Sequence, residues 1–405
     1  MATCLTGTDS SQAGDHPVTF PDSVAAPQGS VIQYKSLDAY LNAMTPPLLS
    51  PVPGKVGIAI GTILNQRLGK FYYGETALDG GKAPDGGTLF LIASISKTFT
   101  ATLLALDVEQ HLVNLDDPIQ KYLPAGVTAP LFNNDASHPI TLAHLATHTS
   151  GLPLMPTFPS YAGPASSQKL FGSLNQAQLA SVPGAKYVYS NYGYALLGQI
   201  LARVGNQDWR DLNESAVANA LLMADTKVAS QLSAEETSRR APGNNAVAGE
   251  WTFFPAENPA GGLYSSLDDM SRYLNYAMGL SGSPLESLLP SLFQPRHGAG
   301  SSGEIGLGWN IGTLSGTGEQ VIWKDGGLLG YESFIGFVPS KGVGVVMLVN
   351  SQGINLNGFA QQTLAFLLTN PTQSQDPIPL PQVDPATLPP GPGPGPVEQV
   401  PQAAY

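Results

Sequence analysis

Ser94 and Lys97 stand three residues apart where the apolar run Phe90-Leu91-Ile92-Ala93 gives way to a helical pattern. Residues at that spacing share one helix face, which sets the lysine amine beside the serine hydroxyl. A serine hydroxyl attacks a carbonyl only when a neighbouring base takes its proton. An amine serves as that base near neutrality once burial or nearby positive charge lowers its pKa. A serine at a helix start also has free backbone N–H groups around it, where an oxyanion can form.

Two further stretches could join this pair. Tyr189 and Asn191 lie in Pro183-Gly184-Ala185-Lys186-Tyr187-Val188-Tyr189-Ser190-Asn191, between a Pro-Gly turn and an apolar helix over residues 195–204. A phenol becomes a useful base when cations flank it. The Asn191 amide can hold a substrate carbonyl; the competing assignment is a structural tyrosine and a helix-capping asparagine. Trp323-Lys324-Asp325-Gly326-Gly327 closes a strand over residues 320–324. Lys324 can supply positive charge, Gly326 lets a substrate approach the backbone, and the Gly327 N–H can pair with that of Ser94 as an oxyanion hole. Alone, this last stretch also reads as a plain Asp-Gly-Gly turn.

The elements that would position these groups lie at both ends of the chain. Strands are expected over 55–64 and 67–78, with Gly61 and Asn65-Gln66 near their turn, and over 320–324, 331–338 and 343–349. Pro339-Ser340-Lys341-Gly342 joins the last two as a hairpin turn. Helices are expected from Ser94 to about His111, briefly after Asn114 with Pro118 at an early position, over 268–274, and over 357–370. Strands at both ends with helices between them imply an α+β chain. Its antiparallel sheet is built from both termini and flanked by helices, with a mainly helical subdomain inserted. Residues 1–28 read as a loose arm, 29–370 as the folded domain, and the Pro/Gly-rich 371–405 as a disordered tail.

Composition narrows the function. The chain has 405 residues, a formal charge of −12 and only 12% charged residues. The negative charge argues against nucleic acid and anionic membrane surfaces. Cys4 is the only cysteine, so no internal disulfide can form. No apolar run is long enough to span a membrane. The first residues lack a signal-peptide pattern. The expected location is periplasmic or secreted if a leader has been removed, and cytoplasmic otherwise. The proline-rich tail offers polyproline II to an unknown partner or serves as a spacer.

Taken in order, Ser-x-x-Lys at 94–97, Tyr-x-Asn at 189–191 and the Lys324 strand resemble the serine β-lactamase and penicillin-binding D,D-peptidase superfamily, class C branch. The segments Ile140-Thr141-Leu142-Ala143-His144-Leu145-Ala146-Thr147-His148-Thr149-Ser150-Gly151-Leu152-Pro153, Gly261-Gly262-Leu263-Tyr264-Ser265-Ser266-Leu267-Asp268-Asp269-Met270 and Gly306-Leu307-Gly308-Trp309 are similar to family segments as well. The resemblance spans roughly residues 30–370. It implies a β-lactamase-like fold and an acyl-enzyme on Ser94, with Lys97 and Tyr189 moving protons, Lys324 assisting, and no cofactor. The implied substrate is a peptide or small molecule. The family's threonine after the third-motif lysine is Asp325 here. An ionised Asp325 facing the substrate would repel a carboxylate by on the order of 1–4 kcal/mol; pointing away, it would do no harm. The implied activity is a D-alanyl-D-alanine-type peptidase with weak β-lactamase activity. A carboxylesterase on the same fold and a penicillin-binding sensor that acylates without turnover are the alternatives.

Two rivals are weaker. His144 and His148 have the spacing of helical zinc ligands, but the intervening glutamate of a His-Glu-x-x-His site is missing. An α/β-hydrolase would need Gly-x-Ser-x-Gly, which the chain lacks.

Overall fold

The computed structural model describes residues 34–51, 54–77, 81–156, 166–244, 255–300, 303–328, 330–372 and 378–384. The expected arm at 1–28 lies outside them, as does 385–405 of the expected tail.

Among the described residues, twelve strands form two sheets. They are β1 (Gly57–Leu64), β2 (Arg67–Gly74), β3 (Leu89–Leu91), β4 (Lys227–Val228), β5 (Leu263–Ser266), β6 (His297–Gly298), β7 (Glu304–Ile305), β8 (Asn310–Thr313), β9 (Gln320–Leu328), β10 (Tyr331–Val338), β11 (Val343–Val349) and β12 (Ile378–Pro379). The large sheet runs β12-β2-β1-β11-β10-β9-β8-β7-β6, and its neighbouring strands pair antiparallel. Strands from both chain ends therefore meet at β1–β11, as their buried, β-branched sequences require. Both of these central strands are buried at every position. Asn65 and Gln66 both have positive φ, 53° and 58°, and make the tight two-residue turn that matches strand twist. Gly61 lies inside β1 opposite Val346, not at the turn.

Alternation along the strands divides the core in two. Ile58, Ile60, Val345, Met347, Trp323 and Phe334 face one side, where the helices Leu37–Leu49 and Leu356–Leu367 cover them. Ala59, Ile63, Val346, Leu348, Ile322 and Ile335 face the other, against the helical insertion. That insertion also carries the small sheet β3-β5-β4, which the sequence pattern does not reveal because its strands are two to four residues long.

Several expected boundaries move. The second strand stops at Gly74, where φ is +75°. The turn after Pro118 is a 3-10 helix, Ile119–Tyr122, with Pro118 just outside it. Strand β9 runs on to Leu328 instead of closing at Lys324. Part of the expected tail is pinned to the body. Ile378 and Pro379 pair with β2, Asn275 donates to the Pro381 carbonyl at 2.7 Å, and the Val383 N–H donates to Ser281. Within 378–384, backbone pairing at a sheet edge outweighs the disordering effect of proline.

Candidate active site

Ser94 sits in a turn, not in the first turn of the long helix. The segment Ala93–Ile95 is a 3-10 helix, and the α-helix Ser96–Glu109 begins two residues beyond the nucleophile candidate. Ala93 has φ +45°, an uncommon conformation for a residue with a side chain and one often found where a site needs a fixed, strained turn. Strand β9 lies against this turn. A Cβ at Gly326 would stand 2.5 Å from the Ile92 carbonyl oxygen and 2.9 Å from the Ser94 nitrogen, so only glycine allows the contact. Ser333, opposite Gly326 on β10, donates its hydroxyl to the same Ile92 carbonyl at 2.8 Å.

The residues expected to act together do meet. Lys97 Nζ lies 3.0 Å from Ser94 Oγ, and the Tyr189 hydroxyl donates to Ser94 Oγ at 2.7 Å. Lys97 is fully buried and donates to Asn191 Oδ1 at 2.7 Å and to the Ala260 carbonyl at 2.5 Å. Lys97 and Lys324 stand 4.9 and 5.3 Å from the Tyr189 ring centre, so two amines flank the phenol. Burial first, and then the Lys324 charge, hold the Lys97 amine well below the ordinary lysine range, with Asp325 pulling weakly the other way.

Local sequence explains the placement of Tyr189 and Asn191. Ser190, not Asn191, is the N-cap of the helix Asn191–Val204, its Oγ accepting from the Gly193 N–H at 2.9 Å. Asn191 is thereby free to turn its side chain to Lys97. Its carbonyl oxygen is taken by that lysine, which leaves the amide N–H₂ as the group that can meet a substrate carbonyl.

The third stretch divides by strand alternation. Lys324 pairs with Ile335 and lies on the face of the helical insertion, where it is 6% exposed. Asp325 pairs with Phe334 and belongs to the opposite face, with Val321 and Trp323. Strand β8 pairs with β9 only as far as Trp323, so residues 324–328 have no β8 partner. A Cβ at Gly327 would meet Gln352 and Glu332 only at ordinary contact distance, 3.9 and 4.0 Å.

Three contributors were not foreseen: the Ala260 carbonyl, Ser333 and Ser96, whose Oγ accepts from the Leu263 N–H at 3.1 Å. The glycines 261 and 262 were the only signal near Ala260, and a backbone carbonyl has no side-chain signature. His144 and His148 do not form a helical pair. The helix Leu142–Ala146 ends before His148, and the two Nδ1 atoms accept from the Thr141 and Ser190 N–H groups.

This fold is that of the serine β-lactamase and penicillin-binding superfamily. The Beta-lactamase family profile matches residues 52–369. The chain is 29% identical to the D-alanyl-D-alanine-carboxypeptidase/endopeptidase AmpH of Escherichia coli K12, covering 73% of this chain and 80% of that one. It is 27% identical to a β-lactamase of Pseudomonas fluorescens, with 73% and 88% covered. Among solved structures, a β-lactamase/D-alanine carboxypeptidase of Yersinia pestis in complex with citrate aligns with a TM-score of 0.68 at 26% identity, covering 81% of this chain and 99% of that one. A class C β-lactamase aligns at 0.70 with 22% identity, covering 84% and 97%, which speaks to fold alone. The chain belongs to the Beta-lactamase family and is a serine hydrolase of that family. Among the described residues, no helix is long and apolar enough to cross a membrane.

Proposed function

We propose that this protein cleaves a D-alanyl-D-alanine-type peptide through an acyl-enzyme on Ser94. The observation that carries this reading is the environment of Lys97. Asn191 Oδ1 and the Ala260 carbonyl can only accept, so they take two amine N–H bonds, and the third contact is Ser94 Oγ. A desolvated amine held this way has its lone pair for the serine proton.

In this mechanism Ser94 Oγ attacks the carbonyl carbon as Lys97 takes its proton. The Ser94 and Gly327 N–H groups hold the oxyanion. Tyr189, between the two amines, delivers a proton to the leaving nitrogen, and the C–N bond breaks. Water then attacks the ester of Ser94, losing a proton towards Tyr189, and Ser94 recovers its own as the acid leaves. Lys324 contributes field and carboxylate binding, while Asn191 and the backbone at Gly326 position the substrate. The face alternation of β9 supports a peptide bearing a carboxylate, because it carries Asp325 away from Lys324. The names of AmpH and of the Yersinia pestis enzyme support the same substrate class.

The test compares release of D-alanine from a peptide ending in D-alanyl-D-alanine with hydrolysis of a short nitrophenyl ester, in wild type and Ser94→Ala. Ser94-dependent D-alanine release is expected. Ester turnover with no peptide cleavage would replace this reading with a carboxylesterase on the same fold.

A further inference from the structure

His148 lies behind Tyr189 and has no place in the steps above. It follows the helix Leu142–Ala146, is 1% exposed and has φ +57°. A left-handed histidine buried beside a reaction centre is held by its surroundings at some cost in backbone energy. That conformation turns both its carbonyl and its ring towards one stretch of chain. The carbonyl accepts from the Val188 N–H at 2.7 Å, and ring Nδ1 accepts from the Ser190 N–H at 3.0 Å.

Val188 and Ser190 are the two neighbours of Tyr189. In an extended chain alternate N–H groups point the same way, so one residue here supplies two successive rungs. The ring of His148 also lies on that of Tyr189, centres 4.3 Å apart and planes at 31°. Tyr187 and Tyr194 close the other sides of the imidazole at 5.7 and 5.0 Å. Burial above all, with the Lys324 charge adding to it, holds the ring neutral, and its accepting Nδ1 places the proton on Nε2.

We infer that His148 is a positioning residue, which holds the Tyr189 hydroxyl on Ser94 by two backbone hydrogen bonds and a ring contact. The inference rests on the proposed roles of Ser94 and Tyr189. The residue must combine an aromatic face with a hydrogen-bond acceptor and stay uncharged beside two lysines. Phenylalanine has the face without the acceptor. Asparagine has an acceptor at nearly the same place and tolerates positive φ.

The experiment measures kcat and KM for an ester that the wild type hydrolyses, with active sites counted by the acylation burst, in His148→Phe, His148→Ala and His148→Asn. Per active site, kcat is expected to fall ~100-fold in the Phe and Ala variants with KM little changed, as for a misplaced proton carrier. His148→Asn is expected to recover roughly tenfold of that, the worth of one restored hydrogen bond. Wild-type kcat per active site in His148→Phe, or a rise in KM alone, would overturn the inference. If His148→Phe does not fold, equal kcat in the Ala and Asn variants would overturn it. Ester hydrolysis that survives Ser94→Ala would instead defeat the underlying assignment, and that control is read without any His148 variant.

Discussion

Lys324→Met removes a buried positive charge without removing much volume, and its effect can be sized from the site. The amines of Lys97 and Lys324 stand 4.9 and 5.3 Å from one ring centre, so they lie no more than about 10 Å apart. At an effective dielectric constant of about 20, like charges ~10 Å apart repel by ~1.7 kcal/mol, or about one pH unit of pKa. Lys324 therefore helps keep Lys97 unprotonated, and its loss raises the pH at which the base becomes free. The assay is the pH dependence of kcat/KM with a neutral nitrophenyl ester, chosen so that lost carboxylate binding does not enter. The acid limb is expected to move up by about one pH unit, with a ~10-fold loss on that limb and a smaller one on the plateau. Asp325 acts on Lys97 in the opposite sense, so Asp325→Asn is expected to move the limb down. A uniform loss at every pH, with both limbs in place, would refute the idea that Lys324 works through the field at Lys97.

Other variants test the frame around the site. Gly326→Ala drives a methyl to 2.5 Å from the Ile92 carbonyl oxygen and is expected to cost ~1–3 kcal/mol of stability along with most activity, read by urea unfolding and ester turnover. Gly327→Ala brings its methyl only to ordinary contact with Gln352 and Glu332, 3.9 and 4.0 Å away, and its stability is expected to stay within about 0.5 kcal/mol of wild type. Asp107 is buried in the Ser96–Glu109 helix, with its Oδ2 unpartnered among the described residues, and burial pushes its carboxyl up to about 7. Between about pH 4 and 7 the unfolded chain has released this proton while the folded chain keeps it, so stability is lost as pH rises through that window. Asp107→Asn is expected to gain ~2–4 kcal/mol over wild type at pH 8 and little at pH 4, by denaturant unfolding; an equal difference at both would refute it.

Much of this was legible in the chain because it depends on side-chain type and short spacing. Strands at both ends show as β-branched alternation, and three motifs in order mark Ser94, Lys97, Tyr189, Asn191 and Lys324. What stayed hidden depends on backbone and tertiary contact. The left-handed turn at Ala93 delays the helix by two residues, and no pattern of residue types marks it. The Ala260 carbonyl reaches Lys97 across 163 positions of sequence. The helix Leu37–Leu49 carries Pro46 and Pro47 in its last turns, which obscures its apolar face. The face of Asp325 became certain only with the β9–β10 register.

The most direct measurement is the intact mass of the protein after brief incubation with a penicillin and, separately, with a nitrophenyl ester under rapid quench, beside Ser94→Ala. A stoichiometric acyl adduct that maps to Ser94 and is missing from the variant is the expected result. Substrate turnover with no adduct at Ser94, or an adduct that persists in Ser94→Ala, would contradict an acyl-enzyme on this serine.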